Sequence, residues 1–446
     1  MRIIMIRPNI GMLEVKNGID VPFDDKGRME PLQLGVLAGL TPDDIEVILF
    51  DDRVEVIDYD EPADLIAISV EIFTARRAYE IADEFRKRNK TVILGGVHAS
   101  TMPNESALHA DCVIVGDAEN IWLQVLDDFK TNNLKPLYIS EKGPPHPGRV
   151  ARRSIYDGKK YLPVSLLQFG RGCPYTCSFC STGLYFGGKQ YSRKVDEVIY
   201  EIQSQGRKFL FFVDDNIIGD KEMAKKLFKA LVPLKIRWIG QASIDMTEDP
   251  ELMELIQQSG CIGLIVGFES YTPEGLKAYS KTQNNSSNYD EQIKIIRKHK
   301  IHIWAAFLLG HDEETAETLQ ETLDFAIRKK FSFAAFNILM PYPKTEMFKM
   351  LESEKRLLYD GKWWLSKDYR FNYAAYIPKK ISQEELTRIC FEMRQQYNSV
   401  SQIIKRMLAR HNLLNLGTWR LLWQMVWLFR RETFKKQGMR LGFRRK

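Results

Sequence analysis

Apolar runs alternate with amphipathic stretches along the first 135 residues. Five runs of six or seven residues are apolar almost throughout, and the segments between them place apolar side chains at helical spacing. Buried parallel strands are continuous apolar runs of this kind, and they need crossover connections, usually helices. The pattern predicts a parallel α/β sheet with strands at 2–8, 46–51, 65–70, 91–96 and 112–117.

A second series of apolar runs and amphipathic helices begins near residue 163. Six successive strand–helix units predict an open or partial barrel, with functional side chains at the carboxyl ends of its strands. The predicted strands are 164–170, 209–215, 236–243, 262–270, 301–310 and 333–341.

The two series and the segments around them define four predicted regions. Residues 136–162 are rich in Pro, Gly and charge, which is typical of a linker. Beyond Pro378 the pattern is helical to the end. We therefore predict an α/β domain at 1–135, a linker at 136–162, a partial barrel at 163–375 and a helical, basic region at 376–446.

Composition places the chain among globular proteins, and its charge is unevenly distributed. Hydrophobic residues make up 44% and charged residues 27% of the 446 positions. The start has no leader pattern, and the apolar run 421–429 is shorter than the ~20 residues that span a bilayer. We therefore expect a cytoplasmic protein with reduced cysteines. From residue 401 onward, twelve Lys and Arg face a single Glu432, whereas the net charge of the whole chain is only +6.

Three of the six cysteines fall within eight positions of the segment GRGCPYTCSFCSTG. Cys173, Cys177 and Cys180 follow the first strand of the second series, in a loop marked by Gly and Pro. Three thiolates can hold three corners of a 4Fe–4S cluster and leave its fourth iron open to another ligand. A structural zinc site needs four protein ligands, and the next cysteine is Cys261. A zinc site and inert buried cysteines remain the alternatives.

The Cys-x3-Cys-x2-Cys spacing, placed after the first strand of a six-unit barrel, resembles the radical S-adenosylmethionine superfamily. The resemblance covers the whole second domain. It implies that S-adenosylmethionine chelates the open iron, and that an electron donor such as flavodoxin or ferredoxin starts its reductive cleavage to a 5′-deoxyadenosyl radical. The S-adenosylmethionine-binding residues that it implies by position are Phe179, Asp214, Asp215, Ser243 and Glu269.

Two of these positions depart from the family pattern. The family often has Gly-Gly-Glu where this chain has Asp214 and Asp215, and helix capping is the alternative for both aspartates. Glu269 is the stronger candidate, because a carboxylate at the end of a buried strand needs a nearby cation. The cofactor's sulfonium and amine would provide one.

The N-terminal sheet resembles the cobalamin-binding domain of class B radical S-adenosylmethionine enzymes. The segments that carry the resemblance are PLQLGVLAGL, DLIAISVEIFTARRAYEIADEFR, VILGGVHASTMPNESA and ADCVIVGDAENIW. The Asp-x-His-x-x-Gly motif that supplies an axial histidine is absent, and His98 lies on a different turn. An ordinary polar-loop histidine and a vestigial domain are the alternatives. The implied cobalamin-binding residues are Ser69, Glu71, Gly95, Gly96, His98, Gly116 and Glu119.

Two aromatic segments near the end bear on the substrate. The stretch 419–427 places three Trp, a Leu and a Val on one helix face, and Lys and Arg flank it. This composition favours peripheral membrane contact, and packing against the barrel is the alternative. A nucleic-acid partner is not expected, because the body of the chain is acidic. The segment GKWWLSKDYRFNYAAY is predicted to line an apolar substrate pocket.

Together, these features predict a two-cofactor enzyme. We expect a Rossmann-like (flavodoxin-like) cobalamin domain, then a partial (β/α)6 barrel and a helical extension. The cofactors would be a 4Fe–4S cluster, S-adenosylmethionine and cobalamin, and the reaction would be methylation of an unactivated carbon of an apolar, lipid-like substrate. The alternatives are radical cyclisation, oxidation or rearrangement without methyl transfer, and a non-catalytic iron–sulfur or corrinoid-binding protein.

Overall fold

The protein is represented by a computed structural model that describes residues 1–14, 20–22, 28–145, 150–413 and 416–442. The chain divides into two compact units. Unit 1 comprises Met1–Leu162, Lys362–Phe371 and Gly438–Lys446, and unit 2 comprises Pro163–Gly361 and Asn372–Gln437. Each unit is therefore assembled from segments that are distant in sequence.

Unit 1 is built on a six-stranded parallel sheet. Up to residue 162, the strands of unit 1 are β1 (Arg2–Arg7), β2 (Gly11–Glu14), β3 (Asp20–Pro22), β4 (Glu46–Asp51), β5 (Leu65–Ser69), β6 (Thr91–Gly95), β7 (Cys112–Val115) and β8 (Leu137–Ile139). Its helices are α1 (Leu32–Leu40), α2 (Ala75–Lys87), α3 (Val97–Thr101), α4 (Pro103–Ser106) and α5 (Trp122–Lys130). The strand order is β4-β1-β5-β6-β7-β8. The five predicted strands are confirmed, since the apolar runs lie inside the sheet, as in Ile3–Ile6 with 0% exposure.

Unit 2 is built on a second six-stranded parallel sheet. The strands of unit 2 are β9 (Ser165–Leu167), β10 (Gly170–Gly172), β11 (Gln190–Ser192), β12 (Phe209–Phe212), β13 (Arg237–Gln241), β14 (Cys261–Glu269), β15 (His302–Leu309) and β16 (Phe333–Ile338). Its helices are α6 (Ser181–Phe186), α7 (Val195–Gln205), α8 (Lys221–Leu231), α9 (Pro250–Gln258), α10 (Pro273–Ala278), α11 (Tyr289–Lys298), α12 (Ala316–Lys329), α13 (Glu346–Ser353), α14 (Gln383–Tyr397), α15 (Val400–Met407) and α16 (Leu416–Lys436).

The second sheet has the order β16-β15-β14-β13-β12-β9, so its first and last strands are edges and the barrel stays open. This confirms the predicted partial barrel. In β14 and β15 buried and partly exposed positions alternate, as expected for strands with two distinct faces. The carboxyl ends of β9, β12, β13 and β14 lead into the segments that carry the candidate residues.

The segment 136–162, predicted to be a linker, is largely part of unit 1. It contributes β8 to the sheet, and Tyr156 is buried with its hydroxyl donating to the Pro31 carbonyl over 3.0 Å. A Cβ on Gly35 would lie 2.1 Å from that hydroxyl, so the glycine makes room for the tyrosine. The Pro- and Gly-rich composition suggested a linker and gave no sign that Tyr156 is buried in the unit.

A second sheet in unit 1 was not predicted. Strand β2 pairs with both β3 and β17 (Arg440–Leu441), and β17 lies more than 400 residues further along the chain. A Cβ on Gly11 would lie 1.7 Å from the Arg440 carbonyl oxygen, so this pairing requires glycine there. The region predicted to be helical to its end therefore also contains a strand.

Helix α16 packs within unit 2. Leu422 and Val426 are 6% and 0% exposed and belong to an apolar cluster with Phe333 of β16 and Ile403 and Met407 of α15. The structure therefore favours the packing alternative for this helix face over a membrane-facing one. No helix within the described ranges is both long enough and apolar enough to cross a membrane.

Candidate functional site

The cysteine-bearing loop of unit 2 starts from a short antiparallel ribbon. Strand β10 pairs with β11, and Gly172 ends β10 with φ +86°. A Cβ there would lie 2.1 Å from the Lys189 carbonyl oxygen, so the ribbon tolerates only glycine at this position. Cys173, Cys177 and Cys180 follow as free, partly exposed thiols.

Two carboxylates, one buried and one partly buried, hold this ribbon in place. Asp214 accepts hydrogen bonds from the backbone N–H groups of Phe169, over 3.1 Å, and of Gly170, and burial raises its pKa to about 7. Asp215 accepts the N–H of Gly172 over 2.9 Å, and burial raises its pKa as well. Both aspartates therefore organise the start of the cysteine loop. Their binding to S-adenosylmethionine remains a prediction.

Two side-chain amides lie beside the thiols. The Nδ2 of Asn216 is 3.9 Å from the Sγ of Cys173, and the Nε2 of Gln283 is 3.9 Å from the Sγ of Cys177. Burial raises the pKa of both thiols, whereas these amide donors favour the thiolate forms. Asn216 also donates to Ser243 Oγ over 3.0 Å, which links that candidate residue to the cysteine loop. The sequence reasoning identified neither amide.

Glu269 forms an ion pair that the sequence reasoning missed. The residue ends β14 in a left-handed conformation with φ +60°, beside a register shift in the sheet. Its Oε1 lies 3.0 Å from Lys281 Nζ, and the two side chains are only 13% and 11% exposed. Burial alone would lower the pKa of Lys281, but Glu269 and Cys177 reverse this effect and raise it. The protein itself thus supplies the cation that the buried Glu269 requires.

Phe179 packs against the protein from within the cysteine loop. Its ring meets Tyr279 edge-on at a centroid distance of 5.3 Å, and the N–H of Ser178 donates to the Tyr279 carbonyl over 3.1 Å. The loop is therefore anchored to the segment that follows α10. Contact of Phe179 with an adenine remains a prediction.

A groove of about 410 Å³ opens next to this ion pair. Its charged lining residues, Lys277 and Lys281, are both basic, and the other lining groups are neutral. At its base Asn284 donates to the carbonyls of Gly267 and Phe268 at the end of β14. The groove therefore suits a ligand with an anionic group.

The thiols do not form a site for a single metal ion. Within the described part of the chain, no three His, Cys, Asp or Glu side chains converge closely enough to hold one ion. A 4Fe–4S cluster makes a different demand, because each thiolate binds a different iron and the sulfurs stay further apart. Three free thiols on one loop, two of them beside amide donors, fit such a cluster.

Two of the three candidate glycines at the carboxyl edge of the unit 1 sheet are required by the chain's own packing. Gly96 and Gly116 have φ values of +100° and +96°. Added Cβ atoms would lie 2.8 Å from the Val70 carbonyl oxygen and 2.5 Å from the Ser140 carbonyl oxygen, respectively. Gly95 has no such crowding. A role for these turns in approaching a corrin remains a prediction.

The polar candidates at this edge have partners of their own. Glu71 is exposed and pairs with Arg7, with 2.9 Å between Oε2 and Nη2. The Ser69 hydroxyl lies 3.5 Å from Gln33 Nε2. Glu119 lies partly exposed in a short turn of 3₁₀-helix after β7. All three lie at strand ends, where ligands of open α/β sheets bind.

His98 belongs to a buried hydrogen-bond network. The side chain is 1% exposed, and its Nε2 lies 3.0 Å from Glu105 Oε1. The same oxygen accepts the hydroxyl of Tyr79 and the indole N–H of Trp364, each over 3.0 Å. The structure therefore favours a structural role for His98 over contact with cobalamin.

Much of the aromatic segment predicted to line a substrate pocket, residues 362–371, belongs to unit 1, and three of its rings are buried there. Trp363, Trp364 and Tyr369 are at most 1% exposed. Phe73 contacts Trp363 and Phe371 at centroid distances of 5.0 and 5.3 Å. These rings fill a core rather than a cavity, so the pocket prediction is wrong for them.

Replacing His98 with Phe tests its structural role. We expect the free energy of unfolding to fall by about 1.5–3 kcal/mol, because a hydrogen bond to the Glu105 carboxylate is lost in the interior. The stoichiometry of bound cobalamin and its visible spectrum should not change. Denaturant unfolding and absorbance spectroscopy measure the two effects, and a spectral change with unaltered stability would restore His98 as a ligand.

Glu314, which follows β15, should make stability depend on pH. Burial raises its pKa to about 8, although the N–H of Gly310 donates to it. Because the folded state holds this proton more tightly than the unfolded chain, its stabilising contribution is complete below pH ~4.5 and is lost as pH rises through about 8. We expect Glu314→Gln to remove this decline. Thermal melts of both proteins between pH 5 and pH 9 measure the difference, and parallel curves would refute it.

Comparison with known proteins adds independent information. Residues 24–126 match the B12 binding domain, and residues 167–326 match the Radical SAM superfamily. Among curated proteins of Chlorobaculum tepidum, the bacteriochlorophyllide d C-8(2)-methyltransferase is 36% identical over 73% of this chain and 77% of its own length. The C-12(1)-methyltransferase is 30% identical over 89% and 88%, respectively. The solved structure of the methyltransferase TsrM from Kitasatospora setae shares the fold, with a TM-score of 0.64, 17% identity and 98% coverage of both chains.

Proposed function

We propose, from the premise that this chain belongs to the cobalamin-binding radical S-adenosylmethionine methyltransferases, that it methylates an unactivated carbon of an apolar substrate. The family's cofactors are a 4Fe–4S cluster, S-adenosylmethionine and cobalamin. When bound, they supply the one-electron cleavage of S-adenosylmethionine and the transferable methyl group. The protein's own residues bind, orient and shelter the reacting groups.

The observation that carries the proposal is the cysteine loop of unit 2. Cys173, Cys177 and Cys180 are free thiols on a loop whose start is held by one buried and one partly buried carboxylate. In this proposal they hold three irons, and Asn216 and Gln283 donate to two of the sulfurs. Such hydrogen bonds make a cluster easier to reduce, because they stabilise its added negative charge.

The ion pair beside the loop is the proposed S-adenosylmethionine-binding element. Lys281 offers an ammonium group to the cofactor's carboxylate, and Glu269 offers a carboxylate to its amine or ribose. Ser243 and Phe179 remain proposed contacts at the neighbouring strand end and in the loop. Asp214 and Asp215 contribute by holding the loop backbone.

The carboxyl edge of the unit 1 sheet is the proposed cobalamin site. The strand order β4-β1-β5-β6-β7-β8 reverses direction at β1, and open sheets bind ligands at such a switch point. The candidates there other than His98 are all exposed or partly exposed: Ser69, Glu71, Gly95, Gly96, Gly116 and Glu119. The proposal does not require a histidine ligand.

The relatives support an apolar ring system as the substrate class. Two methyltransferases at 36% and 30% identity are named for bacteriochlorophyllide d, a tetrapyrrole. We therefore propose a tetrapyrrole as the first substrate to test, ahead of a linear lipid. A flavodoxin or ferredoxin as reductant and a peripheral contact with a lipid surface complete the proposal.

The direct test uses anaerobically reconstituted protein with S-adenosylmethionine carrying a deuterated methyl group and a tetrapyrrole acceptor. Mass spectrometry should find an acceptor product that has gained one labelled methyl, and omission of cobalamin should abolish it. If S-adenosylmethionine is consumed and the acceptor changes without gaining carbon, the reaction is a cyclisation, oxidation or rearrangement instead.

A further inference from the structure

Helix α15 and the turn after it leave an apolar stripe exposed. Val400, Ile404 and Leu408 follow one another at spacings of four residues, so they lie along one face, and they are 48%, 42% and 59% exposed. Leu413, just beyond, is 46% exposed. Single exposed aliphatic side chains are ordinary, but four within fourteen residues form a patch that calls for an explanation.

The stripe is the uncovered half of a wider apolar face. Ile403 and Met407, on the neighbouring side of the same helix, are fully buried in the cluster with Phe333 and Val426. Only part of the apolar face of α15 is therefore buried in the fold. Arg406 fixes the helix from the other side through Asn398, over 3.1 Å, so the stripe has a defined orientation on unit 2.

The charge around the stripe identifies its partner. Residues 393–431 contain no Asp or Glu, and Lys405 and Arg410 are exposed next to the apolar positions. Trp419 lies partly exposed nearby, with its indole N–H donating to the Met407 carbonyl over 3.0 Å. Exposed aliphatic side chains, a tryptophan and flanking cations are the composition of helices that lie in the headgroup layer of anionic bilayers.

We propose that the α15 stripe docks this protein onto an anionic lipid bilayer, with Val400, Ile404 and Leu408 entering the interface and Lys405 and Arg410 contacting headgroups. The contact is peripheral. It differs from the membrane contact predicted from the sequence, because α16 packs against the buried side of α15 instead of facing the lipid. The inference rests on the proposed lipid contact, but its test needs neither substrate nor turnover, so its failure leaves the methyl-transfer proposal intact.

Co-sedimentation with vesicles tests the inference on the full chain. Wild-type protein should bind vesicles containing phosphatidylglycerol, bind phosphatidylcholine vesicles far less, and lose binding as salt rises. The variant I404S/L408S should reduce binding about tenfold or more, because two apolar side chains leave the interface. The matched control V232S/I377S, which changes two aliphatic side chains of unit 2 that are 39% and 47% exposed, should bind like wild type.

Further variants and measurements decide the outcome. K405Q/R410Q should weaken the preference for phosphatidylglycerol, and thermal melts should show that all variants are folded. Equal binding to both vesicle types, or unchanged binding by I404S/L408S, would overturn the inference. So would light scattering showing a dimer that only I404S/L408S converts to monomer in the absence of lipid, since the stripe would then be an interface between copies of this chain.

Discussion

Cys177→Ala should abolish reductive cleavage of S-adenosylmethionine, lowering the rate by at least about 10³-fold, to the detection limit. With two thiolates left on the loop, the cluster loses one of its three protein ligands and does not assemble stably. Iron and sulfide content, the broad visible absorbance and 5′-deoxyadenosine formation should fall together after anaerobic reconstitution.

Cys261→Ala is the matched control for this loss. Cys261 is also in unit 2, but it is buried at the start of β14, away from the loop. The control should keep its iron content and its cleavage activity, because only packing is altered there. If Cys177→Ala retains both iron and activity, the assignment of the cysteine loop is wrong.

Lys281→Met should impair both stability and cofactor binding. It leaves Glu269 without its cation in a site where the glutamate side chain is only 13% exposed, and breaking such a pair costs about 3–5 kcal/mol of unfolding free energy. We also expect affinity for S-adenosylmethionine to fall about 30-fold or more, because an ionic contact to its carboxylate is lost. Denaturant unfolding and equilibrium dialysis measure the two effects.

The double variant K281M/E269Q separates these two roles. Removing the unpaired charge should restore most of the stability, whereas affinity should remain low. If affinity recovers together with stability, Lys281 acts only by keeping unit 2 folded. If neither single nor double variant changes affinity, the pair does not contact the cofactor.

The strands were predictable because each one is a continuous apolar run. Predicted strands at 46–51 and 65–70 agree with β4 and β5 to within one residue, and those of unit 2 agree to within a few residues. The assembly of unit 1 was not predictable in the same way. Segments 362–371 and 438–442 join it through backbone pairing and ring packing across hundreds of residues, which no local pattern encodes.

In the candidate site, too, some residues were predictable from the sequence and others were not. The three cysteines were found because their spacing is specific, whereas Asn216, Gln283 and Lys281 are common residue types at unremarkable spacings. One signal was available for Lys281: a buried glutamate at a strand end needs a cation, and the first lysines after it lie within the next twelve residues. For His98, position on a turn predicted a cobalamin contact or an ordinary polar-loop histidine, and packing with Trp364, which buries the side chain, could not be read from the local pattern.

Helix α16 shows that an amphipathic pattern can be identified correctly and still be interpreted wrongly. The apolar face of α16 was correctly identified, but the pattern of one helix does not say what covers that face. Phe333 and Met407 cover it, and the exposed stripe lies on α15 instead.

Electron paramagnetic resonance of the reduced, reconstituted protein tests the central claim most directly. If three thiolates leave one iron free to bind S-adenosylmethionine, then adding the cofactor to the reduced 4Fe–4S cluster should shift its g values, and 17O or 15N labels in the cofactor's carboxylate or amine should couple to the signal. A cluster signal that the cofactor neither shifts nor couples to would contradict the account, because every iron would already be fully coordinated.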